Sequence, residues 1–113
     1  MAFLDINPVS RGHTLVIPKR HYRDLLDLPT EEWQGVMAAA QRVAGALIAG
    51  LGASGVNLLQ ATGAAAGQTV FHFHLHLIPR YENDGLHPWP ESTYRERDFA
   101  ATAHRIKEAI SSG

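Results

Sequence analysis

Cysteine is absent from the 113-residue chain, which removes disulfides, thiol catalysis and cysteine metal ligands from within it. No apolar run approaches the roughly 18 to 20 residues of a membrane-spanning helix. Clustered cations are missing too, with ten Lys/Arg set against eleven Asp/Glu and no basic run. A broad nucleic-acid or anionic-membrane surface depends on such clusters, so neither partner is expected. A local anion pocket stays open. The first residues, Met1 to Asp5, lack the basic start and long apolar stretch of a secretory signal, and the expected location is cytoplasmic. Repeats and low-complexity tracts are lacking as well.

Hydrophobic residues make up 45% of the chain and charged residues 19%, the balance of an ordinary globular protein. One domain spanning 1–113 is expected. Residues 2–6 are apolar and read as a short strand stopped by Asn7-Pro8. Residues 13–18, β-branched and apolar between Gly12 and Pro18, read as a second strand. Pro29 suits the first turn of a helix, and Glu31 and Glu32 suit its positive end. Trp33, Val36, Met37, Ala40, Ala44, Leu47 and Ile48 then recur at helical spacing until Gly50 and Gly52. The pattern predicts an amphipathic helix packed on a sheet, with Trp33 and Met37 in the core.

Residues 56–60 resemble a strand and 61–67 a small-residue loop. A long strand over 68–78, closed by Pro79, comes next, and Asn83-Asp84-Gly85 supplies turn chemistry. Phe99, Ala103, Ile106 and Ile110 place a C-terminal helix. Several strands with one long intervening helix predict an α+β fold with an antiparallel sheet.

Three of the seven histidines fall in Phe71-His72-Phe73-His74-Leu75-His76-Leu77. Side chains alternate faces along a strand, so His72, His74 and His76 are expected on one face. Phe71, Phe73, Leu75 and Leu77 are expected on the other, against the helix and core. A solvent-facing strand would mix Thr, Lys, Glu and Ser; here every polar member is imidazole. Such a row suits metal binding by neutral imidazoles. It suits nucleophilic catalysis equally, one ring attacking while its neighbours orient it and handle protons. Gly63 and Gly67 flank the loop entering the row, with Gln68 and Thr69 beside it. Glycine-permitted loops can turn backbone N–H groups toward a phosphate, which favours the second chemistry.

The run His72-Phe-His-Leu-His-Leu-Ile resembles the signature of the histidine-triad (HIT) family. Asp5-Ile-Asn-Pro8, Gly12 to His21 and Gly67-Gln-Thr-Val70 are similar to that family's other blocks, in the same order. The blocks cover about residues 3–80, leaving 81–113 as a C-terminal extension. The resemblance implies a HIT-like α+β half-barrel that forms a homodimer with two sheets side by side. It implies attack on the α-phosphate of a nucleotide and a nucleotidyl-histidine intermediate, as in the phosphoramidases of the family. His74 would be the nucleophile, its other nitrogen held by a backbone carbonyl that fixes the reactive tautomer. His76 would meet phosphate oxygens or assist the leaving group, with His72 and His13 supporting the triad. Gly67, Gln68 and Thr69 would stabilise charge on the phosphate. Asp5 would receive the ribose hydroxyls of an AMP-like purine nucleotide, with Phe3 and Ile6 beside the base.

Two departures from the family pattern follow. Zinc-containing members carry a Cys-x-x-Cys pair that joins histidines matching His21 and His72. Two ligands are too few for a closed site, so no structural zinc, catalytic metal or cofactor is expected. Family members also usually carry Asn where this chain has Ala61, which offers the phosphate no donor. A weakly catalytic nucleotide-binding or scaffold dimer is therefore the alternative to the enzyme, and a His-ligated metalloenzyme the third reading.

Overall fold

The computed structural model describes residues 1–87, 92, 95 and 97–112. Its elements are β1 (Ala2–Leu4), β2 (Thr14–Val16), α1 (Thr30–Leu51), β3 (Gly55–Leu59), β4 (Leu75–Arg80) and α2 (Phe99–Ser112), with a 3₁₀ turn at Ala64–Ala66. The strands form one sheet in the order β1-β2-β4-β3, every neighbouring pair antiparallel. The α+β class with one long helix on an antiparallel sheet is the fold observed.

Burial explains the arrangement. Along β4 the residues alternate buried and half-buried, so Leu75 and Leu77 face inward while His76 and Ile78 face outward. Val16 of β2 joins them, and Val36, Ala40 and Leu47 of α1 cover them together with Phe73. Trp33 and Met37 pack against this cluster as expected, and Trp33 meets Phe73 edge to face with centroids 5.8 Å apart. Ile48 departs from the expected stripe: it is 50% exposed, because Leu47 takes the central inward position of that turn. Gly52 ends α1 in the left-handed conformation and donates its N–H to Ile48 O.

Gly12 has φ +90°, and a Cβ there would lie 2.6 Å from Leu51 Cδ1. The close approach lets the start of β2 lie against the last turn of α1. His13 is placed by that contact.

The long strand expected over 68–78 is not what forms. β4 begins only at Leu75, and 68–74 follow an irregular path. Strand geometry needs a paired neighbour. β2 reaches only to Val16 opposite Leu75, and β3 only to Leu59 opposite His76. Beyond them the Phe73 N–H donates to Tyr22 O instead. Phe71 accordingly misses the core and is 49% exposed. At the other end β4 runs through Pro79, which was expected to close it. Pro79 O accepts from Ser10 Oγ on the β2 side, where β2 has already ended at Thr14 opposite Leu77. The missing N–H therefore deprives no ladder bond.

Arg80 ties the end of β4 to the turn that follows. Its guanidinium grips Asp84 through two nitrogens, Nε at 2.8 Å and Nη2 at 2.9 Å. It also donates to Asn57 Oδ1 on β3 and to Leu86 O. Asn83 takes φ 59° and Gly85 φ 75° to make the turn. Arg80, then the amides of Leu86 and Tyr81, hold the Asp84 carboxyl well below the usual carboxylate range. A carboxyl depressed in the folded state stabilises above its unfolded pKa of about 3.9 and loses that contribution as pH falls below it. Thermal melts from pH 5 downward should therefore show a steeper acid decline for the wild type than for Asp84→Asn.

The C-terminal helix forms where its spacing placed it, yet every residue of α2 is exposed. His104 there pairs with Glu108 at 3.0 Å, and His87 is exposed too.

Candidate active site

The outer face of β2 and β4 floors a cleft of about 740 Å³. β4 delivers His76, the irregular segment before it delivers His74 and His72, and the glycine loop closes one end with Gly67, Gln68 and Thr69. Phe3 and Asp5 enter from β1 and the turn after it. Of the residues expected at the site, these eight line the cleft. His13 lies behind it, and Ile6 is apart from it, 92% exposed.

The histidine row does not share a straight strand face, because no strand exists at 72 and 74. All three rings still reach the cleft by separate routes. The His74 and His76 rings meet at 4.9 Å in a T-shaped contact. His72 instead turns to His21, with their Nδ1 atoms 3.0 Å apart.

His74 Nδ1 lies 2.8 Å from the carbonyl oxygen of His72. A carbonyl only accepts, so Nδ1 carries the proton and Nε2 keeps its lone pair. A neutral imidazole held in this form is a nucleophile. Burial and the neighbouring His74 and His13 rings lower the His76 pKa, against a smaller opposite pull from Asp5. The site thus favours an uncharged His76.

His13 is 4% exposed. Its Nε2 lies 2.9 Å from His76 Nδ1 and 3.6 Å from Asp5 Oδ2, and the Val9 N–H reaches its Nδ1 at 3.2 Å. Asp5 also serves its own turn, Oδ1 accepting from the Asn7 N–H at 2.8 Å.

Gln68 differs from its expected use as a phosphate donor. Its side chain is buried, with Nε2 donating to Arg23 O and Val70 O and Oε1 accepting from the Gly63 N–H. Both amide protons are spent, so the side chain braces the loop and leaves ligand contacts to its neighbours. Gly63 at φ 91° and Gly67 at φ 99° allow that loop to turn.

Leu15, Ile17, Leu59, Val70 and Asn7 complete the wall beside Ala61, and the sequence reading had not assigned them to the site. One signal pointed to two of them. Val16 fills the core face of β2, yet Leu15 on its other face and Ile17 just past its end are also apolar, as expected where a ligand covers that face.

The HIT-domain sequence pattern matches residues 1–83. An uncharacterized HIT-like protein of Borreliella burgdorferi is 47% identical over 88 residues, covering 76% of this chain and 63% of that protein. The adenylylsulfatase HINT3 of Arabidopsis thaliana is 40% identical over 99 residues, covering 88% of this chain and 49% of that protein. Across the first three curated relatives the matched stretch spans 63%, 58% and 65% of their length. A crystal structure of a HIT family protein from Bacillus anthracis superposes with TM-score 0.81 at 43% identity, over 98% of this chain and 79% of that one. A Zn-bound histidine triad family protein from Mycobacterium smegmatis superposes with TM-score 0.71 at 44% identity, over 98% and 77%.

His21 and His72 are the residues to test for such a zinc. Their facing nitrogens and the buried, unpartnered His72 Nε2 would suit an ion. A closed structural zinc takes four ligands. Among the described residues no further His, Cys, Asp or Glu joins the pair. These residues do not complete a zinc site.

Proposed function

We propose, from the premise that this chain belongs to the HIT-domain family, that it is a nucleotide hydrolase or transferase in which His74 takes up a nucleoside monophosphate. The observation that carries the reading is the His74 Nδ1–H bond to the His72 carbonyl, which leaves Nε2 bare. In the proposed reaction a bond forms between Nε2 and the α-phosphorus, and the bond from phosphorus to the leaving group breaks. The leaving group departs with a proton taken from solvent, which the acceptor's own proton replaces when it attacks, while His74 keeps its Nδ1 proton. Water or another acceptor then cleaves the nucleotidyl-histidine and restores the ring.

Charge that builds on the phosphate oxygens is met by Thr69 and by His76, since the Gly67 and Gln68 N–H groups are already spent on Ala64 O and Gly63 O. Phe3, Leu15 and Ile17 offer an apolar wall to a purine, with Asp5 at the ribose. Adenosine phosphoramidates, adenylates and dinucleoside polyphosphates all present the required α-phosphate. The Arabidopsis relative, described as an adenylylsulfatase, supports adenylates among them. Ala61 puts only a methyl group on the cleft wall, so the rate is expected to fall below that of relatives with a donor there.

The protein is proposed to act as a cytoplasmic homodimer, without a metal or cofactor in the reaction. β3 pairs only with β4, and its other edge is free among the described strands, with Leu58 and Leu59 exposed. Such an edge suits pairing with a second copy.

Calorimetry with AMP beside a turnover assay on adenosine phosphoramidate tests the reading. Binding with turnover supports the enzyme, and binding without turnover supports the scaffold. Asp5→Asn keeps the turn bond to Asn7 but removes the charge. Losing charge-assisted bonds to the ribose is worth about 1.5–3 kcal/mol, so AMP should bind about 10- to 100-fold more weakly. A dideoxyribose analogue should show no comparable loss.

A further inference from the structure

Hydrogen-bond chains between imidazoles have a direction, and here one backbone group sets it. Among the contacts of His13, the Val9 N–H can only donate, so His13 Nδ1 must accept and hold no proton. The proton of a neutral His13 then sits on Nε2. That atom faces two acceptors, His76 Nδ1 at 2.9 Å and Asp5 Oδ2 at 3.6 Å. His76 Nδ1 accepts in turn, and its proton is left on Nε2.

We propose that the Val9 amide anchors a one-way chain through His13 that makes His76 present Nε2–H to the cleft, with His13 as a positioning residue for that donor. The proposal rests on the reading of the cleft as a nucleotidyl-transfer site, where a donor beside His74 meets phosphate oxygen or the departing atom. The donation is a hydrogen bond, with no proton leaving His76 for good. Burial lowers the His76 pKa and so favours the uncharged ring, which lets the chain supply a donor without adding a cation beside His74. The arrangement has the logic of a tautomer lock, in which the partner of one ring nitrogen decides what the other can do.

The same chain bears on the one cluster of potential metal ligands among the described residues. Asp5, His13 and His76 bring ligand atoms within 4.8 Å of one another. A metal on His13 Nε2 would require a bare nitrogen there while Nδ1 still accepts from Val9. The ring would have to be an imidazolate. The geometry assigns these residues to proton placement.

The test reads the proton directly, by nitrogen-15 NMR on the full chain without substrate. A proton bonded to His13 Nε2 should correlate through the hydrogen bond with a bare His76 Nδ1. A proton found on His76 Nδ1 overturns the proposal, whether or not the protein turns over nucleotides. Replacing Val9 by its α-hydroxy acid, which removes only the N–H, should abolish or reverse that correlation; an unchanged correlation overturns the role of Val9. His13→Gln keeps an N–H near the Nε2 position and His13→Leu does not. The Leu variant should lose roughly tenfold in kcat, within the range of a lost transition-state donor, with little change in AMP affinity, and Gln should restore most of it. Equal losses in both variants overturn the positioning role.

Discussion

Replacing His74 with alanine is expected to lower turnover of an adenosine phosphoramidate by on the order of 10⁴-fold or more, with AMP affinity changed by about threefold or less. The split follows from what the ring does. In the proposed reaction its Nε2 makes a bond only during the chemical step, so its loss falls there. In the proposed reading, binding rests on Asp5 and on the apolar wall of Phe3, Leu15 and Ile17, which line the cleft. The half-buried ring anchors no core, so the variant should fold. Mass spectrometry of acid-sensitive adducts provides the check, since the wild type should trap nucleotide on His74 and the variant should not. Wild-type turnover in the alanine variant would refute the assignment.

The second large effect concerns stability. Phe73→Ala should cost about 3–5 kcal/mol and lower the melting temperature by more than about 10 °C. Phe73 is fully buried, edge-on to Trp33, and touches the cluster formed by both layers. Against a typical total of about 5–15 kcal/mol such a loss leaves little reserve. Urea titration followed by Trp fluorescence measures it, and Phe73→Leu should retain most of the stability. The position carries more than packing energy. Phe73 separates His72 from His74, and its buried ring pins a segment that has no strand ladder to hold it.

That segment marks where reading the sequence stops. The stripe on α1 was legible because helical burial repeats within the helix's own residues, Val36, Ala40 and Leu47 among them. β2 was legible for a similar local reason. The histidine run was legible as chemistry, since three imidazoles on alternate positions have few bland explanations. Its shape was not, because whether 68–74 stays extended depends on where β2 and β3 end. Gln68 shows the same limit. Its polar amide beside a glycine loop suits a phosphate, and only the fold brings the Arg23 carbonyl to consume it. Ile6 was placed beside the base by the family resemblance, yet the turn closed by Asn7 leaves it outside the cleft and exposed.

The bond between His74 and the peptide oxygen of residue 72 also separates two duties that the sequence writes at one position. A main-chain oxygen is supplied by any amino acid. The tautomer of the proposed nucleophile is therefore indifferent to which side chain residue 72 bears, so long as the bend survives. The imidazole of His72 faces His21 instead, with their Nδ1 atoms 3.0 Å apart. Reactivity is stored in the path of the chain, where substitution reaches it least.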